Sequence, residues 1–247
     1  MAQRLVRVIN LGRMGFIPAY DIQTHYARRH LEYLTHKFGN PAEDVLLLVE
    51  HNPVYTIGIR RDKYTEEDGV RLRKLGAEFY NTNRGGLITF HGPGQLVAYP
   101  ILNLQNFQPS LKWYVKALEE TMTGTCQEYG LDATTTEHTG VWVNDRKIGA
   151  IGVHASRFVT THGISLNCIT DLDWFQHIVP CGIEGKSVTS LSKELSKNIT
   201  SYDAVKPLLL NFEKAFECEC EYSLLEDQDK EVLHIVKEHG IAVDNSQ

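Results

Sequence analysis

The chain is short of several things that would have placed it in a common class. It has no basic excess: its formal net charge is −6 over 247 residues, which argues against a general nucleic-acid binder. No apolar run approaches the roughly 20 residues needed to span a bilayer, so no membrane partner is expected. Its five cysteines, Cys126, Cys168, Cys181, Cys218 and Cys220, are odd in number and scattered. They do not form a secreted disulfide framework, and a reducing compartment is expected. There is no G-x-x-x-x-G-K-S/T phosphate loop and no G-x-G-x-x-G. Eleven histidines are present, yet H-E-x-x-H, C-x-x-C and a second cysteine pair are missing, so no metal site is expected. Repeats, low-complexity blocks and Pro/Ser-rich linkers are also absent. One domain over residues 1–243 with a polar tail at 244–247 is the expectation.

What is present reads as a mixture of strands and helices. Leu5 to Ile9 alternates as a first strand, although Arg4, Arg7 and Arg13 with no acid before Asp21 also match the composition of an import peptide. Pro18 to Phe38 reads as a helix with Ile22, Tyr26, Leu31 and Leu34 on its apolar face and Gly39 as a stop. Val45–Val49 and Val54–Ile59 are short apolar runs of strand length. Thr65 with Asp68 starts a helix that ends near Gly76. Strands follow at Ala77–Thr82, Leu87–Phe90 and Leu96–Leu104, then a helix capped by Ser110 and closed by Gly130. Val141–Val143, Lys147–Val153 and Gly163–Cys168 are strands, the first two joined by a hairpin turn at Asn144-Asp145. Helices at Ser187–Leu195, Tyr202–Phe216 and Gln228–His239 complete the chain. Strands that follow one another by short turns predict an α+β fold, a mixed and largely antiparallel sheet flanked by helices.

Four segments carry chemistry. Four glycines fall between Arg84 and Gln95, a backbone expense that implies close approach by something. Within that segment Arg84 is a donor for an anion or carbonyl and His91 can donate, accept or titrate. A hairpin with a surface arginine accounts for the spacing too. Lys147 follows a turn and enters an apolar, glycine-containing strand; it is either a solvated strand end or an ammonium held at a site. His162, in Thr161-His162-Gly163, is by spacing alone a hydrogen-bonded structural histidine as readily as a functional one. Cys181 lies between Pro180 and Gly182, a loop setting that favours exposure and reactivity. The other four cysteines lack such a setting.

In order and spacing, Arg84–Leu96 (R-G-G-x-x-T-Y/F-H-G-P-G-Q-L), Lys147–Gly152 (K-I-x-A-I-G), Thr161–Asn167 (T-H-G-I/L-x-L-N) and Ile178–Gly182 (I-V-P-C-G) resemble the lipoyl(octanoyl) transferases. The resemblance covers about 60% of the chain, from Val45 to Leu195. It implies a fold shared with biotin and lipoate protein ligases. It implies an acyltransferase that moves an octanoyl group from octanoyl-acyl carrier protein to a lysine of a lipoyl domain, such as that of glycine cleavage H protein or 2-oxoacid dehydrogenase E2. Cys181 would be the nucleophile and Lys147 its partner. Arg84, Gly85, Gly86, Leu87, Ile88, Thr89, Phe90, His91, Ala150, Ile151, Gly152, Gly163, Ile164 and Ser165 would line an apolar slot, with the glycines leaving room for the chain. No ATP and no metal would be needed, because thioester exchange is near neutral and thioester to amide is downhill. Oxyanion donors would come from backbone N–H groups near Lys147–Gly149, from the Cys181–Gly182 loop, or from His91.

Two departures from the family pattern stand out: Phe90 where Tyr is usual, and His154 where Arg is common. Partners in this family are typically acidic, so the cluster Arg60, Arg61 and Lys63 is either a docking site or a solvated loop. The acid-poor start and the likeness of Asp171–Phe175 to mitochondrial members favour the mitochondrion over a bacterial-type cytoplasm. The alternative function is an ATP-dependent lipoate or octanoate protein ligase, although the G-R-G-R-R-G run of the biotin enzymes is absent. A hydrolase and a non-catalytic carrier-protein binder are the remaining classes.

Overall fold

The computed structural model describes residues 4–37, 41–61, 64–178, 186–228 and 230–241. Its strands are β1 (Arg4–Met14), β2 (Asp44–His51), β3 (Val54–Ile57), β4 (Glu78–Asn81), β5 (Ile88–His91), β6 (Gln95–Ile101), β7 (Ala133–Thr134), β8 (Val141–Val143), β9 (Arg146–Ser156), β10 (Val159–Asn167) and β11 (Cys218–Ser223). Its helices are α1 (Phe16–His36), α2 (Glu66–Lys74), α3 (Leu111–Glu128), α4 (Leu191–Leu195), α5 (Ser201–Phe216) and α6 (Lys230–Glu238). Eight strands form one sheet in the order β11-β1-β2-β6-β10-β9-β8-β7, and β4-β3-β5 form a second, smaller one. Parallel pairing is confined to β1 with β11, β1 with β2, and β3 with β4; the other ladders are antiparallel. The expected mixed, largely antiparallel α+β architecture is what forms.

β2 explains why its sequence is continuously apolar. Val45, Leu47 and Val49 pack under α1 and α6, while Leu46 and Leu48 pack under α3 and α5. A strand covered on both faces has no polar side to show. Each of these side chains stabilises the fold by about 2 kcal/mol on burial. Local signals hold as well. Thr65 and Asp68 form a capping box on α2, and Ser110 accepts from the Trp113 N–H at the start of α3. Asn144 and Asp145 both adopt positive φ, 46° and 65°, as a tight hairpin turn between β8 and β9 requires.

Three expectations are corrected. The helix expected from Ser187 begins only at Leu191, because the backbone of Ser187 and Thr189 is captured by Lys147 in β9. β11 was not foreseen: its residues alternate Cys and Glu, and its partner β1 lies at the other end of the chain. β1 runs five residues past Ile9, with a register shift between Asn10 and Arg13. Phe38 and Gly39, Lys63, Pro180 to Ile183 and the expected tail at 244–247 lie outside the described residues. Among the described residues no helix is long and apolar enough to cross a membrane.

Candidate active site

The face of the large sheet turned toward α1 carries small residues where β9 and β10 meet: Ala150 opposite Ser165, and Gly152 opposite Gly163. The small sheet lies over this patch and contributes Thr56 from β3 and Thr89 and His91 from β5. Phe16, Val97, Tyr99, His162 and the Arg84–Leu87 loop close the sides of a cavity of about 480 Å³, its open mouth included. The room does not come from the glycines. A Cβ on Gly163 would sit 2.1 Å from the Ala98 carbonyl oxygen, and one on Gly152 would sit 2.9 Å from Arg84 Cδ. These glycines let β6 and Arg84 approach, and short side chains such as Ala150, Ser165 and Thr89 leave the space.

Strand periodicity divides the segment from Arg84 to His91. Arg84, Gly86, Leu87, Thr89 and His91 reach the cavity, as do Ala150, Ile151, Gly152, Gly163, Ile164 and Ser165. Ile88 and Phe90 point the other way, into the core of the small sheet, where Phe90 stacks on Trp174 at 5.1 Å with the rings 7° apart. Gly85 is not on the wall either; its N–H donates to the Val153 carbonyl. Gly85, Ile88 and Phe90, expected on the lining, are not among the residues that line this cavity; Ile88 and Phe90 alternate with Thr89 and His91 along β5 and face the opposite side. The tyrosine hydroxyl that Phe90 lacks is accordingly no loss to this wall. Phe16, Thr56, Val97 and Tyr99 were not foreseen. Val97 and Tyr99 sit in a run too uniformly apolar to reveal which face each takes.

Arg84 is a clamp. Its buried guanidinium donates to the Thr56 carbonyl (2.6 Å), to Thr56 Oγ1 (2.9 and 3.3 Å) and to the Gly85 carbonyl (3.0 Å). Burial, and then its charge among others, acts on nearby histidines. His91 is held down to about 3 by burial, by His51 and by Arg84, and His162 to about 3 by burial and then Arg84. Both are neutral. His91 Nδ1 faces Gln95 Oε1 at 2.7 Å, while Gln95 Nε2 donates to the Phe90 carbonyl and to Asn167 Oδ1. The proton is thus on Nδ1, Nε2 keeps a lone pair, and His91 is an acceptor there. Of the three candidate oxyanion donors named from the sequence, His91 thus presents an acceptor, not a donor, at Nε2.

Lys147 opens on a second cavity of about 290 Å³, whose walls Thr89, Ala150 and Ser165 are shared with the first. Its side chain is buried; Nζ donates to the Thr139 carbonyl at 2.9 Å and lies 5.4 Å from the centre of the Trp142 ring. Its N–H donates to the Ser187 carbonyl, which removes it from the oxyanion donors proposed from sequence. Cys181 lies outside the described residues. The thiols of Cys126 and Cys168 are pushed up to about 12 by burial, and the hydrogen bond that the Cys220 thiol donates to Cys218, together with burial, raises that of Cys220. None of these is a thiolate near neutrality. Among the described residues no group of three His, Cys, Asp or Glu is placed to hold a metal ion.

A model of the lipoyl protein ligase A/B catalytic domain matches residues 24–213, more than three quarters of the chain. The chain belongs to this family. Within the family it is 49% identical over 218 residues to the zebrafish (Danio rerio) mitochondrial octanoyl-acyl-carrier-protein:protein N-octanoyltransferase LIPT2, covering 88% of this chain and 95% of the relative. The human enzyme of the same name is 44% identical over 223 residues, covering 88% and 96%. The fold is that of an archaeal bipartite lipoate protein ligase, described together with its E2 lipoyl domain from Thermoplasma acidophilum. The TM-score is 0.65 at 14% identity, over 94% of this chain and 90% of that one.

Proposed function

We propose that this lipoyl ligase A/B family member is a mitochondrial octanoyltransferase that carries octanoyl from acyl carrier protein to a lipoyl-domain lysine through a thioester on Cys181. The observation that carries the reading is that the two cavities share the walls Thr89, Ala150 and Ser165, a larger and mostly apolar one beside a smaller one that a buried lysine lines. Burying the seven carbons beyond the carbonyl would contribute on the order of 5 kcal/mol at about 0.8 per methylene. The names of the relatives at 44–49% identity point to the same substrate.

In the first step the Cys181 thiolate attacks the thioester carbonyl, a new C–S bond forms, and the carrier thiol leaves with a proton. In the second the acceptor amine attacks the acyl-enzyme, the amide forms, and Cys181 is released as thiol. As a cation Lys147 favours the Cys181 thiolate and gives its proton to the departing carrier sulfur; the neutral amine so formed takes the proton of the attacking acceptor amine in the second step and passes it to the Cys181 sulfur. Neither step consumes ATP or requires a metal. Lipoyl domains such as those of H protein or E2 are the acceptors.

Incubation with octanoyl-acyl carrier protein alone, without ATP, tests this: mass spectrometry should find octanoyl on Cys181, lost in Cys181→Ser and strongly reduced in Lys147→Met. Adding a lipoyl domain should yield its octanoyl amide. Product formed only from free octanoate with ATP would make the protein a ligase, and free octanoate as sole product would make it a hydrolase.

A further inference from the structure

Two residues of the sequence motifs take no part in that mechanism, Gln95 and Asn167, and they are bonded to each other across 72 positions. Both are buried. Their amides have no freedom of orientation. The Phe90 carbonyl accepts from Gln95 Nε2 (3.3 Å) and the Thr189 carbonyl accepts from Asn167 Nδ2 (2.9 Å), so each nitrogen must face its carbonyl. A chain of donors then runs in one direction. His91 Nδ1–H donates to Gln95 Oε1, Gln95 Nε2–H to Asn167 Oδ1 (2.9 Å), Asn167 Nδ2–H to Thr189 O, and Thr189 N–H to Lys147 O (2.9 Å). Bonds aligned head to tail polarise one another and hold their members as a unit.

We propose that Asn167, oriented by Gln95, is a positioning residue for Lys147. It acts through Ser187 to Thr189, the extended stretch that brackets Lys147: Ser187 O accepts the Lys147 N–H, and Thr189 N–H meets the Lys147 carbonyl. A second brace fixes Thr189 from the opposite side. Its hydroxyl bonds Glu194 Oε1, and Glu194 is held by Arg146 through two bonds of 2.9 and 2.8 Å. With both braces in place the Lys147 backbone cannot slide along its strand. The Asn167 brace ties that position to the acyl cavity wall at His91. This inference rests on the proposed Cys181–Lys147 chemistry and extends it.

The test is Asn167→Asp, which keeps the size and turns an oxygen toward the Thr189 carbonyl in place of a donor. Three quantities are read: thermal unfolding, steady-state kinetics with octanoyl-acyl carrier protein, and the pH dependence of Cys181 alkylation by iodoacetamide. A displacement of order 1 Å near the reacting groups costs about 100-fold in rate. The expected result is a kcat lowered roughly 10- to 100-fold, KM for the carrier within about twofold, and the alkylation profile moved to higher pH as the thiolate loses its cation. Gln95→Met, which leaves the Asn167 donor but not its orientation, should shift the same readouts less, and decides the matter if Asn167→Asp does not fold. Changes confined to unfolding temperature, with kcat and the alkylation profile as in the wild type, overturn the positioning role. If instead Lys147→Met itself leaves the alkylation profile unmoved, it is the cysteine–lysine reading that fails.

Discussion

Tyr99 donates its hydroxyl proton to Nε2 of His51 at 2.7 Å, and Nδ1 of His51 donates to the Met14 carbonyl at 3.2 Å. This arrangement uses the neutral ring completely. Burial holds His51 at about 4, and first of all burial also lowers His30 to about 4 and His91 and His162 to about 3, all from 6.5. The unfolded chain therefore binds more protons than the folded one between about pH 6.5 and the folded values. Stability is present above 6.5 and is lost as pH falls through that window, by up to about 1.4 kcal/mol per pH unit for each histidine. Asp44, raised by burial from 3.8 to about 6, opposes one of the four: its contribution is present below 3.8 and lost as pH rises through 6. Denaturant titrations should give a stability that falls steeply from pH 7 to pH 5, with a slope shallower by about one proton in His51→Gln. A stability flat over that range would contradict the neutral cluster.

Gly163→Ala and Gly85→Ala separate packing glycines from tolerant ones. At position 163 the new methyl would overlap the Ala98 carbonyl in the neighbouring strand, a contact that only separation of β6 and β10 relieves. At position 85 the nearest atom is 3.5 Å away, an ordinary contact. Gly163→Ala should lower stability by about 3 kcal/mol or more, or yield insoluble protein. Gly85→Ala should stay within about 1 kcal/mol of wild type. Chemical denaturation of the two side by side checks the pair.

How far the sequence carried the reading depends on whether a feature is local. The capping box at Thr65 and the turn at Asn144-Asp145 involve residues a few positions apart, and both were legible. Val45–Val49 was legible as a strand but not in the sense of which side chain met which helices, since every position is apolar. β11 was missed because its place is set by a partner some 200 residues away, although Cys218, Cys220 and Tyr222 alternate with polar residues in strand fashion. At the site, the motifs singled out Arg84 and Lys147, each of which lines a cavity, but not what Arg84 does. A charged side chain in a glycine-rich loop reads as a ligand donor until its carbonyl partners on Thr56 and Gly85 are seen.

Arg60 and Arg61 are exposed, and the backbone of Ile59 and Arg60 is bonded to the carbonyls of Arg84 and Gly86, so the pair stands at the rim of the acyl cavity. On the proposed function, an acidic carrier protein delivering an acyl chain into that cavity would pass them. Replacing both by Glu should raise KM for octanoyl-acyl carrier protein on the order of 10-fold, with kcat little changed and the wild-type KM rising with salt. KM values equal in the two proteins at low ionic strength would assign these arginines to solvent alone.

Thr89 and Phe90 are neighbours in β5 with opposite duties, and exchanging their properties should have opposite effects. Thr89 lines both cavities, at the junction between the apolar trench and Lys147. Thr89→Leu adds bulk at that junction and should lower octanoyl transfer about 10-fold or more while affecting a butyryl substrate less, with unfolding temperature nearly unchanged. Phe90→Tyr restores the residue usual in the family, yet its hydroxyl would enter the packed cluster of Tyr55, Trp174 and Phe175. Its effect belongs to stability, a change of about 1 to 3 kcal/mol, and acyl-chain preference should match the wild type. A chain-length series of acyl carrier proteins measured on both variants distinguishes the two faces of the strand. Altered preference in Phe90→Tyr, with none in Thr89→Leu, would mean that the substrate lies on the side of β5 that packs against Trp174.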